Sequence, residues 1–176
     1  MRTPRQAARV AVLDPGGALF LFRYDNEEVG VHWAMPGGGL EPGEAPRAGA
    51  RRELREETGW TELEPGPLLG TWEHDFTRAG IPVRQHEHLY LTHGPRREPT
   101  EGVAAAHADD KILGWRWWSP AELATAADPL WPPRLADLLA PWRGRPDHAT
   151  TPGPVDLGYV PQEPYDARLP GVARRR

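Results

Sequence analysis

Residues 37–60 read GGGLEPGEAPRAGARRELREETGW, and this stretch holds the clearest pattern in the 176-residue chain. It joins a glycine- and proline-rich segment to a run of good helix formers from Pro46 to Thr58. Proline suits the first turn of a helix, and Gly59 suits the position that follows the last turn. The sequence therefore predicts a loop over residues 34–43 and a helix over residues 46–58.

The predicted helix carries three glutamates on one face, because Glu53, Glu56 and Glu57 are separated by steps of three and four residues. Like charges this close repel one another, which lowers the stability of the helix. Clustered oxygen ligands suit hard divalent cations such as Mg²⁺ or Mn²⁺, and a bound cation turns the repulsion into attraction. The pattern thus indicates a metal site next to a glycine-rich backbone that a ligand can approach closely.

A second interpretation is a solvated, charged helix in which the arginines at positions 51, 52 and 55 neutralise the glutamates. For an isolated E-x-x-E-E pattern this is the more common case. Two features favour the metal site here. The glycine-rich segment precedes the helix directly, and Glu44 stands just before it, where the positive end of the helix dipole stabilises an acid.

Apolar runs outside this stretch predict the remaining elements. Val10–Leu13 and Leu19–Phe22 flank the breakers at residues 14–17, which is typical of a β-hairpin. Ser119 as N-cap, followed directly by a proline, predicts the start of a second helix. Further strands are expected at residues 68–72, 88–92 and 115–118, and a third helix at residues 133–142.

The spacing of the central motif resembles the signature of the Nudix hydrolase family. Its fixed positions are all present, as Gly38, Glu44, Arg52-Glu53-Leu54, Glu56-Glu57 and Gly59. The one departure is Trp60, where the family usually has an aliphatic residue, and this is a packing position. Weaker resemblance continues into residues 33–38 and 117–123, so that it covers about residues 8–142.

The resemblance implies an α/β fold in which a mixed β-sheet lies between α-helices, with residues 5–144 as the hydrolase domain. It also implies a pyrophosphohydrolase that acts on acid anhydrides, cleaving a nucleoside diphosphate linked to another moiety by attack of water at phosphorus. The alternative is a non-catalytic module of the same fold that binds a nucleotide metabolite. Such modules usually have eroded glutamates, whereas the glutamates of this chain are intact.

Carried over to this sequence, the resemblance implies that Mg²⁺ or Mn²⁺ is bound by the helix glutamates Glu53, Glu56 and Glu57. It also implies a further ligand, the backbone carbonyl of Gly37. Arg52 is expected to orient the glutamates by pairing with Glu44. Glu57 or Glu53 is the expected general base for the attacking water. The backbone of Gly38–Gly39 is expected to bind the substrate.

Site residues are also expected outside the motif, where members of the family differ. A further metal-binding acid is predicted at Glu87, just before a strand, with Asp109 and Asp110 as alternatives in a loop. Arg23, at the end of the second strand of the hairpin, is predicted either to contact a substrate phosphate or to lie in solvent. The motif does not distinguish among nucleotide substrates. Trp33 or Trp72 could stack on the base of the substrate, and each could equally be a core residue.

Composition separates a folded part from a tail. The chain has 19 glycines and 21 prolines, a combined share well above the usual value of roughly 12%. Residues 145–176 hold prolines and glycines without an apolar period and are predicted to form a mostly irregular tail. Its end, Arg174–Arg176, is expected to be solvated.

Charge and residue usage limit the partners. The formal net charge of −4 disfavours nucleic acid as the main partner. The absence of cysteine excludes a disulfide framework and a thiolate metal site. No segment approaches the roughly 18 apolar residues of a membrane-spanning helix, so a cytoplasmic protein without a membrane partner is expected. A nucleotide-type small molecule is the expected partner, and a homodimer stays open.

Overall fold

The computed structural model describes residues 1–144 and 151–161, which form nine strands, four α-helices and one short 3₁₀-helix. The strands are Thr3–Leu13 (β1), Leu19–Asn26 (β2), Gly30–Ala34 (β3), Gly37–Gly39 (β4), Leu68–Arg78 (β5), Ile81–His93 (β6), Ile112–Trp118 (β7), Leu130–Trp131 (β8) and Val155–Tyr159 (β9). The helices are Pro46–Thr58 (α1), Ala104–Asp109 (α2), Pro120–Ala124 (α3) and Leu135–Leu139 (α4), and the 3₁₀-helix is Ala140–Trp142. Within these ranges no helix has the length and apolar character needed to cross a membrane.

The strands of the described residues form one mixed sheet with the order β8-β3-β2-β1-β6-β5-β9, in which β4 also pairs with β1 and β7 with β2. β1 runs parallel to β6 along its whole length, whereas β2 and β3 are antiparallel, as are β5 and β6. Helices flank the sheet: α1 packs against β1 and β4, and α4 contacts β5. This arrangement confirms the predicted α/β class with a mixed sheet between helices.

The hairpin and the central helix follow the sequence closely. Leu13 pairs with Leu19 across the predicted turn, and the Ala18 carbonyl accepts a hydrogen bond from the Asp14 amide at 2.9 Å. α1 has the predicted bounds, with Pro46 in its first turn. Gly59 ends α1 in a left-handed conformation, φ 74°, which glycine adopts without steric cost.

Other elements differ from the sequence-based expectation in length or kind. The strands expected at residues 68–72 and 88–92 extend toward each other and meet at a tight turn, where Ala79 and Gly80 have φ of 48° and 78°. α2 was not predicted, and it buries none of its residues. The third predicted helix is shorter than expected, because α4 gives way to the 3₁₀-helix at Ala140.

The segment expected as a loop over residues 34–43 contains strand β4, and the expectation was wrong for Gly37–Gly39. These glycines pair antiparallel with residues 7–9 of β1. A Cβ on Gly37 would lie 2.6 Å from the Arg9 Cα atom, which is too close for any side chain. Only glycine allows the two backbones to approach this closely. The glycines that suggest a loop in the sequence are therefore what allows strand β4 to form here.

Trp60, the one departure from the motif, is a core residue. Its ring is 1% exposed and meets Phe20 edge-on at 4.8 Å between centroids. Trp117 stacks on the same ring at 6.0 Å. The side chain therefore adds buried area in the place of an aliphatic residue, in agreement with the predicted packing role.

The tail is more ordered than its composition suggests. β9, at residues 155–159, pairs in parallel with β5, so the expectation of irregular structure was wrong for this segment. The Tyr159 hydroxyl donates a hydrogen bond to Asp75 Oδ2 at 2.9 Å, and the Arg84 guanidinium lies over the Tyr159 ring. Residues 145–150 and the predicted solvated end, Arg174–Arg176, lie outside the described residues.

Candidate active site

Three carboxylates meet where α1 faces the segment that follows α2. One carboxylate oxygen each of Glu53, Glu57 and Asp110 lies within 4.8 Å of the other two. Glu53 and Glu57 are neighbours on the buried face of α1, one helical turn apart, whereas Asp110 directly follows α2 and is exposed. Of the two loop acids considered from the sequence, the structure thus brings Asp110 to the cluster.

The Glu57 carboxylate is enclosed by the protein. The residue is only 1% exposed, its Oε2 accepts a hydrogen bond from the Gly37 amide at 2.8 Å, and its Oε1 lies 3.5 Å from the Tyr24 hydroxyl. Burial, and then the charge of Glu53, raise the pKa of Glu57 well above its ordinary value. Burial likewise raises the pKa of Glu53, although Arg52 opposes the shift.

The donor set of the cluster fits a hard divalent cation. Two buried like charges at this distance cost free energy, and burial raises the pKa of both glutamates although Arg52 and Arg9 oppose the shifts. A cation surrounded by carboxylate oxygens would remove that cost, and oxygen-only ligands are those that Mg²⁺ and Mn²⁺ prefer. The carbonyl of Gly37, also predicted as a ligand, accepts a hydrogen bond from Arg9 Nη1 at 3.3 Å.

Arg52 connects the acidic residues around the helix start. Its guanidinium donates to both carboxylate oxygens of Glu44 at 2.9 Å, as the motif predicts, and to Glu53 Oε1 at 2.7 Å. The bonds to Glu44 lower the pKa of that carboxyl to about 2. Glu56, the third predicted helix ligand, is exposed, contacts Arg52 at 3.4 Å and is not part of the three-carboxylate cluster.

The glycines of β4 are required by close contacts with charged groups. A Cβ on Gly38 would lie 2.8 Å from the Glu53 carboxyl carbon. A Cβ on Gly39 would meet the Arg5 guanidinium, and the Gly39 carbonyl accepts a hydrogen bond from Arg52 at 3.0 Å. The backbone at positions 37–39 therefore lies directly against charged side chains of the site, and the binding of substrate by Gly38–Gly39 stays a prediction.

Glu87 is not brought into the carboxylate cluster. It is fully buried, and its carboxylate accepts hydrogen bonds from Arg9 Nε at 2.9 Å and Trp72 Nε1 at 2.7 Å, with Gln85 and His74 also in contact. The Arg9 guanidinium in turn donates to the carbonyl of Met35 at 2.8 Å. Glu87 thus contacts the glycine strand through Arg9 and is not one of the three clustered carboxylates, whereas the sequence analysis predicts it as a metal ligand.

Burial alone would raise the pKa of Glu87, but the charge of Arg9 and the hydrogen bond with His74 outweigh it and hold this pKa well below its ordinary range. Sequence reasoning did not single out Arg9. Its signal in the sequence is a charged residue inside the otherwise apolar run of residues 7–13, where a buried charge needs a partner.

Three residues predicted outside the motif as possible contacts of the substrate lie apart from the carboxylate cluster. Arg23 lies on the face of β2 opposite to Tyr24 and is 4.0 Å from Asp128, so its side chain points away from the cluster. Trp72 is fully buried and donates to Glu87, which leaves no free face for a base. Trp33 is half-buried and donates to Asp128 at 3.1 Å.

His107 attaches the Asp110 segment to the helix of the motif. Its Nε2 lies 2.7 Å from the backbone carbonyl of Glu57, which makes it the donor to one of the last carbonyls of α1. Its ring also meets Phe22 edge-on at 5.1 Å. Because α2 buries none of its residues, these contacts of His107 help to hold α2 against α1 and β2.

A cavity of about 190 Å³ opens beside the cluster. Its walls come from β1, β2, β4, the turn between β5 and β6, and the segment after α2. The lining includes Gly37, Gly38 and Asp110 at the cluster, and basic side chains at positions 5, 9, 78 and 111. The site can therefore hold a cation and an anionic ligand side by side.

Comparison with known proteins identifies the family of the chain. A family model described as the NUDIX domain matches residues 3–140. The RNA pyrophosphohydrolase of Caulobacter vibrioides is 41% identical over 119 residues, which cover 61% of this chain and 67% of that protein. Nudix hydrolase 25 of Arabidopsis thaliana is 32% identical over 108 residues, covering 54% of this chain and 62%, less than two thirds, of that protein.

A solved structure shares the fold. The MutT protein of Methanosarcina mazei superposes with a TM-score of 0.60 at 18% identity, covering 80% of this chain and 94% of that one. At this identity the likeness supports the fold alone. Since the family model spans most of the described residues and includes the motif at the carboxylate cluster, the chain belongs to the Nudix hydrolase family, whose chemistry is the hydrolysis of pyrophosphate linkages.

Proposed function

We propose that the chain hydrolyses a nucleoside diphosphate linked to another moiety, using Mg²⁺ or Mn²⁺ held by Glu53, Glu57 and Asp110. The observation that carries this proposal is the carboxylate cluster, whose oxygens lie within 4.8 Å of one another next to an open cavity. The relative named RNA pyrophosphohydrolase supports the type of bond that is cleaved.

Bound at this cluster, a divalent cation would offset the charge of a pyrophosphate and make a bound water more acidic. The chain's own groups provide the positioning. The Gly37 amide orients the Glu57 carboxylate, and Arg52 holds Glu53 while its bidentate bonds to Glu44 fix the guanidinium. The two carboxylates of α1 are thus held before a ligand arrives, which lowers the cost of assembling the site.

In the proposed reaction the water oxygen forms a bond to one phosphorus as the bond from that phosphorus to the bridging oxygen breaks. The bridging oxygen leaves with the electron pair on the second phosphate, and the proton lost by water passes to a carboxylate. Glu53 is better placed than Glu57 to take this proton, because it is 9% exposed and Glu57 only 1%.

The test is incubation with Mg²⁺ or Mn²⁺ and a panel of nucleoside triphosphates, nucleotide sugars, ADP-ribose and dinucleoside polyphosphates in ¹⁸O-labelled water. We expect turnover of at least one compound, with the label in a phosphate product, and loss of turnover with EDTA. Binding of one compound without turnover of any would support the non-catalytic module instead. Turnover that persists in EDTA would contradict the metal site.

His107 is expected to act as a positioning residue for Asp110. The change His107→Phe keeps the ring contact with Phe22 but removes the hydrogen bond to Glu57, and we expect it to lower kcat about fivefold to tenfold. The Mg²⁺ concentration for half-maximal activity should rise, while the free energy of unfolding changes by about 1 kcal/mol or less. Steady-state kinetics over a Mg²⁺ series and urea unfolding measure both.

The exposed His93 provides the control, since His93→Phe should change neither quantity. Combining His107→Phe with Asp110→Asn should give less than the sum of the two effects on the activation free energy. Fully additive effects, or an unchanged Mg²⁺ dependence in His107→Phe, would show that His107 does not act through Asp110.

A further inference from the structure

The Glu57 carboxylate depends on one short hydrogen bond for its orientation. Its Oε2 accepts from the Gly37 amide at 2.8 Å, whereas the Tyr24 hydroxyl lies 3.5 Å from Oε1. Glu53 is held directly by the Arg52 guanidinium at 2.7 Å, but within residues 1–144 and 151–161 no arginine nitrogen lies within 4.0 Å of the Glu57 carboxylate. The direction of the Gly37 N–H therefore sets the direction of the Glu57 carboxylate.

The peptide group that joins Pro36 to Gly37 is bonded at both of its ends. Its N–H donates to Glu57, and its carbonyl, which belongs to Pro36, accepts a hydrogen bond from the Val10 amide at 2.9 Å. Because a trans peptide is planar, its C=O and N–H point in opposite directions, and a bond at one end orients the other. Strand β1 thus holds the donor of Glu57 from behind.

Arg9 holds the peptide groups on either side of this one. Its Nη1 donates to the carbonyl of Met35 at 2.8 Å and to the carbonyl of Gly37 at 3.3 Å. A single nitrogen therefore contacts the backbone directly before and directly after the peptide that donates to Glu57. A Cβ on Gly37 would lie 2.5 Å from Arg9 Cγ, so glycine is what allows the arginine stem to lie against this backbone.

Glu87 fixes Arg9 in turn. Arg9 Nε donates to Glu87 Oε1 at 2.9 Å, and Trp72 Nε1 donates to the other carboxylate oxygen at 2.7 Å. Arg9 is 7% exposed and Glu87 is fully buried, so water does not compete for these bonds. The planar guanidinium donates to the carboxylate and to both carbonyls at once, which the single nitrogen of a lysine has no geometry to reproduce.

We propose that Arg9 is a positioning residue for Glu57: held by Glu87, it fixes the Gly37 amide and thereby the direction of the Glu57 carboxylate. In this role Arg9 acts through the backbone and needs no contact with the cation or the substrate. The inference rests on the proposed metal site at Glu57. It adds that a buried ion pair between two neighbouring strands sets how strongly that site binds its cation.

Two variants of the full chain separate positioning from stability. Arg9→Lys keeps a charge opposite Glu87 but lacks the planar fork. Arg9→Met combined with Glu87→Gln removes both charges together, so that no buried charge is left unpaired, and the glutamine oxygen can still accept the hydrogen bond of Trp72. Leu135→Ala is the matched control, because Leu135 is fully buried on α4 and its truncation lowers stability away from the site.

The first measurement is made on the metal-free protein. Hydrogen exchange at the Gly37 amide is followed by NMR and expressed relative to the slowest core amides, which cancels a change in global stability. We expect exchange at Gly37 to become about tenfold faster in both Arg9 variants, because the amide is no longer held against its charged acceptor. Leu135→Ala should leave this ratio unchanged.

The second measurement is the calorimetric titration of Mg²⁺ into each protein. Both Arg9 variants should raise the Kd for Mg²⁺ about tenfold, which is the usual size of effect for groups that orient metal ligands. Leu135→Ala should bind Mg²⁺ as wild type does. In a Glu57→Gln background Arg9→Lys should have no further effect on the Kd, since two residues that act on one ligand are not additive.

The outcomes separate this inference from the proposed function. If Glu57→Gln binds Mg²⁺ with the wild-type Kd, the proposed metal site fails, whereas faster exchange at Gly37 in both Arg9 variants still supports the positioning role. If wild type hydrolyses its substrate but both Arg9 variants keep the wild-type exchange ratio and the wild-type Kd, the positioning role is refuted and the hydrolysis proposal stands. An equal rise of the Kd in Leu135→Ala would reduce the effect to lost stability and would also overturn the assignment.

Discussion

Replacing Glu57 by glutamine is expected to lower the rate of hydrolysis by about 10³-fold, because a ligand of the catalytic cation is lost. The same change should leave the metal-free protein at least as stable as wild type. The carboxamide oxygen of the new side chain can still accept the hydrogen bond of the Gly37 amide, but the buried charge next to Glu53 is gone. An active-site carboxylate thus lowers stability where no cation is bound.

The pH dependence follows from the raised pKa of Glu57. The folded state holds its proton more tightly than the unfolded state does, so the metal-free protein should lose stability as pH rises from about 4.5 through the raised pKa. Mg²⁺ should reverse this loss, because it binds only the folded state. At a Mg²⁺ concentration of a hundred times its Kd, the free energy of unfolding should rise by about 2.7 kcal/mol. Glu57→Gln should reduce both the pH-dependent loss and the gain from Mg²⁺, and the part that remains comes from Glu53, whose pKa burial also raises.

Thermal unfolding between pH 5 and 8, with Mg²⁺ and with EDTA, measures these effects. Glu64→Gln is the control, since Glu64 is an exposed acid in ion pairs with Arg51 and Arg55. It should leave the response to Mg²⁺ unchanged. A Glu57→Gln protein that Mg²⁺ stabilises as much as it stabilises wild type would place the metal site elsewhere.

Glu87→Gln is expected to have the largest effect on stability, a loss of about 3–5 kcal/mol in the free energy of unfolding. The reason is that Arg9, which is 7% exposed, would keep its buried charge without a carboxylate partner. The pKa of Glu87 is held below its ordinary range, so this contribution to stability is present above about pH 4.5 and is lost as pH falls. Glu57 and Glu87 therefore shift stability with pH in opposite directions.

Urea unfolding at pH 7 tests this expectation. The exposed pair of Arg134 and Asp137 provides the control, and Asp137→Asn should change the free energy of unfolding by less than about 1 kcal/mol. If Glu87→Gln unfolds like wild type but no longer responds to Mg²⁺, Glu87 is a metal ligand after all, as the sequence suggested, and its role as the partner of Arg9 is secondary.

Features that depend on neighbouring residues were predictable from the sequence. The bounds of α1, its left-handed end at Gly59 and the side-by-side position of Glu53 and Glu57 follow from helix geometry within a few residues. The start of α3 at Ser119 was predicted in the same way, and it carries a capping box with Glu122.

Features that depend on strand register were decided by the tertiary structure. Whether Glu87 joins the carboxylates depends on which side of β6 it lies. The parallel pairing of β1 with β6 places it on the side of Arg9. A shift of one residue would have exchanged the faces. The pairing of β9 with β5 is likewise invisible in a proline-rich tail, because its partner lies far away in the chain.

The sequence by itself thus determined the family, the α/β class and the carboxylates of α1, since these are carried by a short motif with local geometry. Only the tertiary structure decided the third carboxylate, the buried Arg9–Glu87 pair and the basic side chains that line the cavity. Each of these unites residues distant in sequence, and their meeting is set by the packing of whole strands, which no local spacing encodes.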